Sequence, residues 1–181
     1  MIPDKKLEEI LIDLGLPVDY GEKRQLPRYE ECSILIKIGM NPYNQAVYLR
    51  PEVAEVWETM RKAAEKSHII LLPLSGFRSI HMQADIIRSK QKAGRTLDDI
   101  MRSNAPPGYS QHHTGCAIDI VTPDVLVPEE VFDTTPAFLW LKTHAHTFGF
   151  VMSYPKNNRE GFIYEPWHWF YQLETEMSEH S

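Results

Sequence analysis

The sequence predicts an α+β fold. Three observations point that way: helical periodicity recurs in separated stretches, short apolar runs lie between them, and prolines and glycines gather at the joints. Apolar residues at i, i+3, i+4 and i+7 mark one face of a helix, whereas alternation or a short continuous run marks a strand. The 181 residues suffice for one domain with a sizeable core and are too few for two ordinary ones.

Taken in order, Asp4 can cap a helix reaching about Leu14, with Leu7, Ile10, Leu11 and Leu14 on one face and Gly15 as its stop. Residues 16–45 carry scattered prolines, glycines and charges and read as loop with one strand around Ser33–Ile38. Pro51 suits the first turn of a helix running to about Lys66, striped by Val53, Val56, Trp57, Met60 and Ala64. Ile69–Leu74 is a short buried strand that delivers the turn Ser75-Gly76-Phe77-Arg78. A helix follows over Ile80–Lys92 with Met82, Ile86 and Ile87 inward, then a shorter one begun by the capping pair Thr96 and Asp99.

Ala105-Pro106-Pro107-Gly108 breaks the chain before a tight loop and a strand at Ile118–Val121. Residues 122–135, with their prolines, read as a surface loop that rims a cleft. Pro136 starts a helix to about Phe148, with Phe138, Leu139, Leu141, Ala145 and Phe148 apolar. Phe150–Ser153 and Gly161–Tyr164 read as two strands joined by a polar turn over residues 155–160.

Composition limits the partners. A hydrophobic fraction of 43% and a charged fraction of 24% are those of a soluble globular chain. A formal charge of −6 and a pI near 5.7 argue against nucleic acid and against a basic membrane-binding surface. No stretch approaches the length of a membrane span, and the N-terminus as written lacks the apolar run of a secretory signal, so a cytoplasmic location is expected, with the periplasm or cell envelope as the alternative if the chain is exported by another route. Cys32 and Cys116 are expected to be free thiols.

The chemistry concentrates in residues 110–119. His112 and Asp119 flank Gly115 and Ala117, and strand alternation sends Ile118 and Ile120 to a core while Ala117 and Asp119 face the other side. A carboxylate among apolar neighbours needs a compensating cation or hydrogen-bond donors. Residues 164–169 supply the missing parts, with Glu165 and His168 three apart among aromatics. His112, Asp119 and His168 would leave a zinc ion one open position, the catalytic rather than the structural pattern. Zinc follows from ligand type, and other divalent ions bind such a set too. Glu165 is then left as a carboxylate placed for general-base work.

His144 and His146 fall at i and i+2 of a helix and share no face. Trp167 and Trp169 read as walls of the cleft. A serine hydrolase built on Ser110 is disfavoured, since no G-x-S-x-G elbow occurs.

These blocks resemble the zinc D-alanyl-D-alanine carboxypeptidases and dipeptidases of bacterial cell-wall metabolism. The family pattern S-x-H-x-x-G-x-A-x-D is matched by Ser110, His112, Gly115, Ala117 and Asp119, and E-x-W-H by Glu165, Trp167 and His168. Ser75-Gly76-Phe77-Arg78-Ser79 followed by Gln83 is similar to a third family block. The resemblance covers roughly residues 51–172.

It implies helices packed on one side of a small, mostly antiparallel sheet, with the zinc cleft on the open face. It also implies a peptide substrate from peptidoglycan or its precursors, with Ser110 and Gln83 binding that peptide. Glu165 and Arg78 would be catalytic, the arginine stabilising the oxyanion. Residues 51–181 would form the catalytic domain, and residues 1–50 an extension packed on it. His113 and Cys116 fall on unfixed positions, and His113 is expected at the rim. The favoured reaction is removal of the terminal D-alanine. Cleavage of an L,D bond, or inside the stem peptide, would use the same site. A non-catalytic binding module would be favoured only if Glu165 or a ligand were missing, and none is.

Overall fold

Four short strands form the sheet that carries the site, and the structure, a computed structural model, describes residues 4–173. In chain order the elements begin with helices α1 (Asp4–Asp13) and α2 (Tyr20–Lys23), hairpin strands β1 (Ile36–Met40) and β2 (Ala46–Leu49), and helix α3 (Pro51–Lys66). There follow β3 (Leu72–Ser75), α4 (Ile80–Lys92), α5 (Leu97–Ser103), β4 (Ala117–Val121), α6 (Pro136–His144), β5 (Phe150–Met152) and β6 (His168–Tyr171). The sheet order is β3-β4-β6-β5, and every neighbouring pair is antiparallel. The hairpin is a separate two-stranded sheet.

All five residues of β4 are buried. Ile118 and Ile120 enter the larger core with Trp57, Met60, Leu141 and Phe150. Full burial of each such side chain contributes about 1.5–3 kcal/mol, so this packing holds the strand in register. Asp119, between the two isoleucines, faces the opposite way. Register then places Ser75, Asp119 and His168 in one row across β3, β4 and β6. One sheet face is therefore core, and the other presents polar chemistry.

A second core joins α1 to α4 and α5 through Leu7, Ile10, Leu11 and Leu14 against Ile80, Ala84, Ile87 and Ile100. The N-terminal helix thus lies on the same helices that frame the cleft. Among the described residues, no helix is long and apolar enough to cross a membrane.

Several sequence expectations require correction. Residues 16–45 hold a short helix as well as one arm of a hairpin, and the hairpin's second arm, Ala46–Leu49, went unread. Met82 is 50% exposed; the buried face of α4 is Ile80, Gln83, Ala84 and Ile87, the i, i+3, i+4, i+7 set, in which Gln83 is the one polar member. Leu139 is exposed for the same reason, and α6 ends at His144 before a 3-10 turn over Ala145–Phe148.

Residues 161–164 are not a strand. Gly161 has φ +72°, the Asn158 side chain ties down Phe162, and Pro166 has no N–H for a ladder, so β6 begins only at His168. Trp169 pairs in register with Ile118 and lies in the core, not on the cleft wall. The expected termini of the outer regions, residues 1–3 and 174–181, lie outside the described residues.

Candidate active site

Two turns are stitched together to make the site. The 3-10 turn Gln111–Thr114 precedes β4, and the turn Gly76–Ser79 follows β3. Arg78 N–H donates to the His112 carbonyl at 3.1 Å, His112 Nδ1 donates to the Gly76 carbonyl at 2.6 Å, and His113 Nδ1 donates to the Arg78 carbonyl at 2.6 Å. Gly76 is required here by space: a Cβ would stand 2.3 Å from the Tyr48 carbonyl oxygen. Gly115 ends the 3-10 turn in the left-handed region, with φ +70°.

His113 is therefore no rim residue. It is fully buried, and its Nε2 accepts from Gly108 N–H at 3.1 Å, so one ring braces the Arg78 backbone and the Pro-Gly entry segment together. The sequence signal was the run of two histidines; nothing in it said which one would point inward to backbone.

His112, Asp119 and His168 are brought together, with one ligand atom from each lying within 4.8 Å of the others. His112 Nε2 is 3.4 Å and His168 Nδ1 3.0 Å from Asp119 Oδ1. Two atoms each about 2.05 Å from a tetrahedral ion lie about 3.3 Å apart, so these two separations are close to those around a zinc-sized ion, whereas the widest in the trio, up to 4.8 Å, would have to close around it. The protonation pattern fits as well. A carbonyl can only accept, so His112 Nδ1 carries its proton and Nε2 keeps a lone pair toward Asp119. On the other ring, His168 Nε2 donates to Gln111 Oε1 at 2.8 Å, which leaves the Nδ1 lone pair toward Asp119. Orientation of this kind by outer partners is how ligating histidines are fixed.

Burial, followed by the nearby Arg78 charge, pushes the His112 pKa down to about 4, which keeps it neutral as a ligand must be. Burial alone would raise the Asp119 carboxyl; His112, His168 and Arg78 outweigh it and hold it well below the usual carboxylate range. Arg78 Nη2 donates to Asp119 Oδ2 and to His112 Nε2, both at 2.7 Å. Its Nε donates to Ser75 Oγ at 3.0 Å and Nη1 to Gln83 Oε1 at 3.3 Å.

Gln83 is 1% exposed and its amide nitrogen donates to the Ala105 carbonyl at 2.8 Å, so both ends of its amide are engaged within the protein. Ser110, also buried, lines the cleft, and its hydroxyl makes no hydrogen bond among the described residues.

Glu165 shares with His112, Asp119 and His168 a cleft of about 370 Å³ that Arg78, Ser110, Tyr154 and Trp167 also line. Its backbone N–H donates to the Tyr154 carbonyl, and its own carbonyl receives His168 N–H, so the Pro166 turn spaces the acid from the histidine. Burial, and then the Asp119 charge, push its pKa up to about 8, against the pull of Arg78 and Lys90. Tyr154 packs its ring 4.8 Å from that of His168. Pro128 brings residues 122–135 to the cleft edge.

Three residues that bear on the site were missed from sequence: Gln111, Ser153, whose hydroxyl donates to Gln111 Oε1 at 2.7 Å, and Lys90. Gln111 occupies a free position of the motif, and Ser153 lies 42 residues away from it, so only the folded chain pairs them.

Two histidines and an aspartate, set on the two central strands of a small antiparallel sheet and the turn before one of them, face a raised-pKa carboxylate and form a group that could hold one metal ion. The family model described as VanY, D-alanyl-D-alanine carboxypeptidase, matches residues 46–174, and the chain belongs to that family. It is 34% identical over 133 residues to YodJ of Bacillus subtilis (strain 168), covering 68% of this chain and 46% of YodJ; it thus spans about half the length of that relative. It is 33% identical over 131 residues to the bifunctional D-Ala-D-Ala dipeptidase and D-Ala-D-Ala carboxypeptidase VanXYC of Enterococcus gallinarum, covering 69% of this chain and 67% of VanXYC. Among solved structures, the LdcB LD-carboxypeptidase superposes with a TM-score of 0.70 at 31% identity, over 80% of this chain and 71% of that one.

Proposed function

We propose that this protein is a zinc-dependent carboxypeptidase that removes the C-terminal D-alanine from peptidoglycan stem peptides. The observation that carries the reading is the convergence of one ligand atom each from His112, Asp119 and His168, two of which already hold a cationic nitrogen of Arg78, opposite an acid with no hydrogen-bond partner for its carboxyl among the described residues, Glu165. His112, Asp119 and His168 would hold the ion. Zinc there would supply a Lewis acid for the scissile carbonyl and lower the pKa of a water from 15.7 to about 7.

The chain's own groups do the rest. Glu165 takes the proton of the attacking water and returns it to the leaving amine, a role typically worth about 10²–10⁴ in rate. Arg78, held by Ser75 and Gln83, donates to the oxyanion as it forms. Ser110 offers its hydroxyl to the peptide. Gln83, with its amide engaged on both sides, serves the substrate by fixing Arg78. Trp167 and Tyr154 wall the cleft and limit water around the reacting bond.

A D,D specificity is supported by the likeness to VanXYC, and an L,D specificity by the likeness to LdcB. The same site serves both, because the cut differs only in the residue that precedes the released D-alanine. Mass spectrometry of pentapeptide and tetrapeptide stems, incubated with zinc-loaded protein and with Glu165→Gln, tests the reading. Loss of one alanine from the pentapeptide establishes D,D cleavage and loss from the tetrapeptide L,D cleavage. A cut inside the stem would make the protein an endopeptidase, and no cleavage of either stem would overturn the assignment.

A further inference from the structure

Among the described residues, three cationic side chains line the cleft, Arg78, Lys90 and Arg95, and two of them are already paired. Arg78 is bound to Asp119 at 2.7 Å and Arg95 to Asp99 at 2.6 Å. Lys90 has no carboxylate within 4.0 Å among the described residues; its Nζ donates to Asn104 Oδ1 at 3.0 Å. Asn104 is buried, and its amide nitrogen is tied to the Ile100 carbonyl and to Ser103 Oγ, so its oxygen is fixed toward the ammonium. The lysine is thus aimed by a rigid partner that takes one of its three N–H donors and leaves two free.

Its place on α4 is just as definite. Gln83, Ile86 and Lys90 stand at i, i+3 and i+7, so one stripe of the helix runs along the cleft from the Arg78 support to the lysine. Seven residues of helix cover about 10 Å, and lysine side chains lean toward the helix N-terminus, which is the Arg78 end. A half-buried ammonium with no carboxylate in direct contact is costly, and the charges of Glu165 and Asp99, which act on it from farther off, offset only part of that cost. Burial, then the charges of Arg95 and Arg78, lower the Lys90 pKa accordingly. An anion arriving in the cleft would relieve that cost.

We propose that Lys90, oriented by Asn104, is a subsite for a carboxylate of the peptide substrate. The inference rests on the stem-peptide reading above and adds to it the group that recognises the peptide's negative charge. Two carboxylates have this chemistry: the terminal α-carboxylate, and a side-chain carboxylate on the diamino acid of the stem. Either would take the two free N–H donors in charge-assisted hydrogen bonds, which are roughly twice as strong as neutral ones.

Binding separates this claim from the hydrolase reading. Zinc-loaded Glu165→Gln protein, alone and combined with Lys90→Gln or Lys90→Arg, is titrated calorimetrically with three probes. These are an acetylated stem tripeptide with lysine before D-Ala-D-Ala, its C-terminal amide, and the same tripeptide with a carboxylate-bearing diamino acid in place of lysine. Lys90→Gln is expected to weaken the carboxylate-bearing probe about tenfold and to leave the probe lacking that carboxylate unchanged, with Lys90→Arg recovering most of the loss.

If the effect vanishes with the amide, the terminal carboxylate is the guest; if it appears only with the carboxylate-bearing diamino acid, the side chain is. An equal loss on all three probes, no loss on any, or no binding of any probe would overturn the subsite. Should the protein with Glu165 intact hydrolyse no stem peptide while Lys90 still discriminates acid from amide, the hydrolase reading falls and the subsite stands.

Discussion

His168 Nε2 lies 2.8 Å from Gln111 Oε1, and that oxygen also receives the Ser153 hydroxyl at 2.7 Å. A neutral amide oxygen, held from both sides, thus decides which nitrogen of His168 keeps a lone pair for an ion. Gln111→Leu should weaken zinc binding about 10–100-fold, the range typical of an outer partner's loss, while Ser153→Ala should cost less because it leaves the Gln111–His168 contact in place. Competition with a chromophoric chelator measures both. An unchanged affinity in Gln111→Leu would mean that the ring is held by packing against Tyr154 instead.

Glu165 and His112 give the metal-free protein a pH signature whose sign can be worked out. Burial raises Glu165 from 4.5 to about 8, so between those values the folded state keeps a proton that the unfolded state has released, and stability falls as pH rises. His112, lowered from 6.5 to about 4, does the reverse: the unfolded state binds the extra proton, and stability rises with pH between about 4 and 6.5. The two effects oppose each other from 4.5 to 6.5, leaving Glu165 alone above that window. Melting temperatures of chelator-treated protein should therefore fall from pH 6.5 to 8, and Glu165→Gln should flatten the decline.

Arg78→Lys keeps a positive charge but cannot reproduce the fork that now contacts Ser75, Gln83, Asp119 and His112. Its kcat on a stem peptide should drop about 10²–10³-fold, the usual loss when an oxyanion donor is removed. Zinc content, read by atomic absorption, should stay near one ion per chain. Loss of the ion would make the arginine part of the ion's support rather than a donor to the reaction.

Gly76→Ala tests the stitching of the two turns. The new methyl would meet the Tyr48 carbonyl oxygen, which already accepts Phe77 N–H at 2.7 Å. Overpacking of this kind costs about 1–3 kcal/mol, visible as a lower urea midpoint. Because the Gly76 carbonyl is what holds the His112 tautomer, zinc affinity should fall with it. A stability loss with unchanged affinity would show that the turn yields without moving its carbonyl.

Much of the candidate site was legible because its parts are local. Ser110, His112 and Asp119 lie within ten residues, and Glu165 and His168 within four, so motif spacing alone set them apart from the rest of the chain. The long helices were legible for a similar reason: α3 and α4 begin and end where periodicity and caps put them. Short elements were harder. The Ala46–Leu49 strand is only four residues long and is held by its hairpin partner and by the Ser75–Arg78 turn, neither of which its own pattern reveals.

By itself, then, the sequence determined the α+β class through its periodicity and the family through its motifs, and it singled out His112, Asp119 and His168 as candidate ligands with Glu165 as the candidate acid, because those are carried by residue type at short spacing. Tertiary structure decided the rest. It buried His113 as a brace, engaged Gln83 with Arg78 and Ala105, set Trp169 in the core, and brought Gln111 to His168 and Lys90 to the cleft. Hydrogen bonds and burial depend on which distant segments meet. That meeting is fixed by strand register and by the packing of Ile118 and Ile120 against α3, not by any local pattern around the residues themselves.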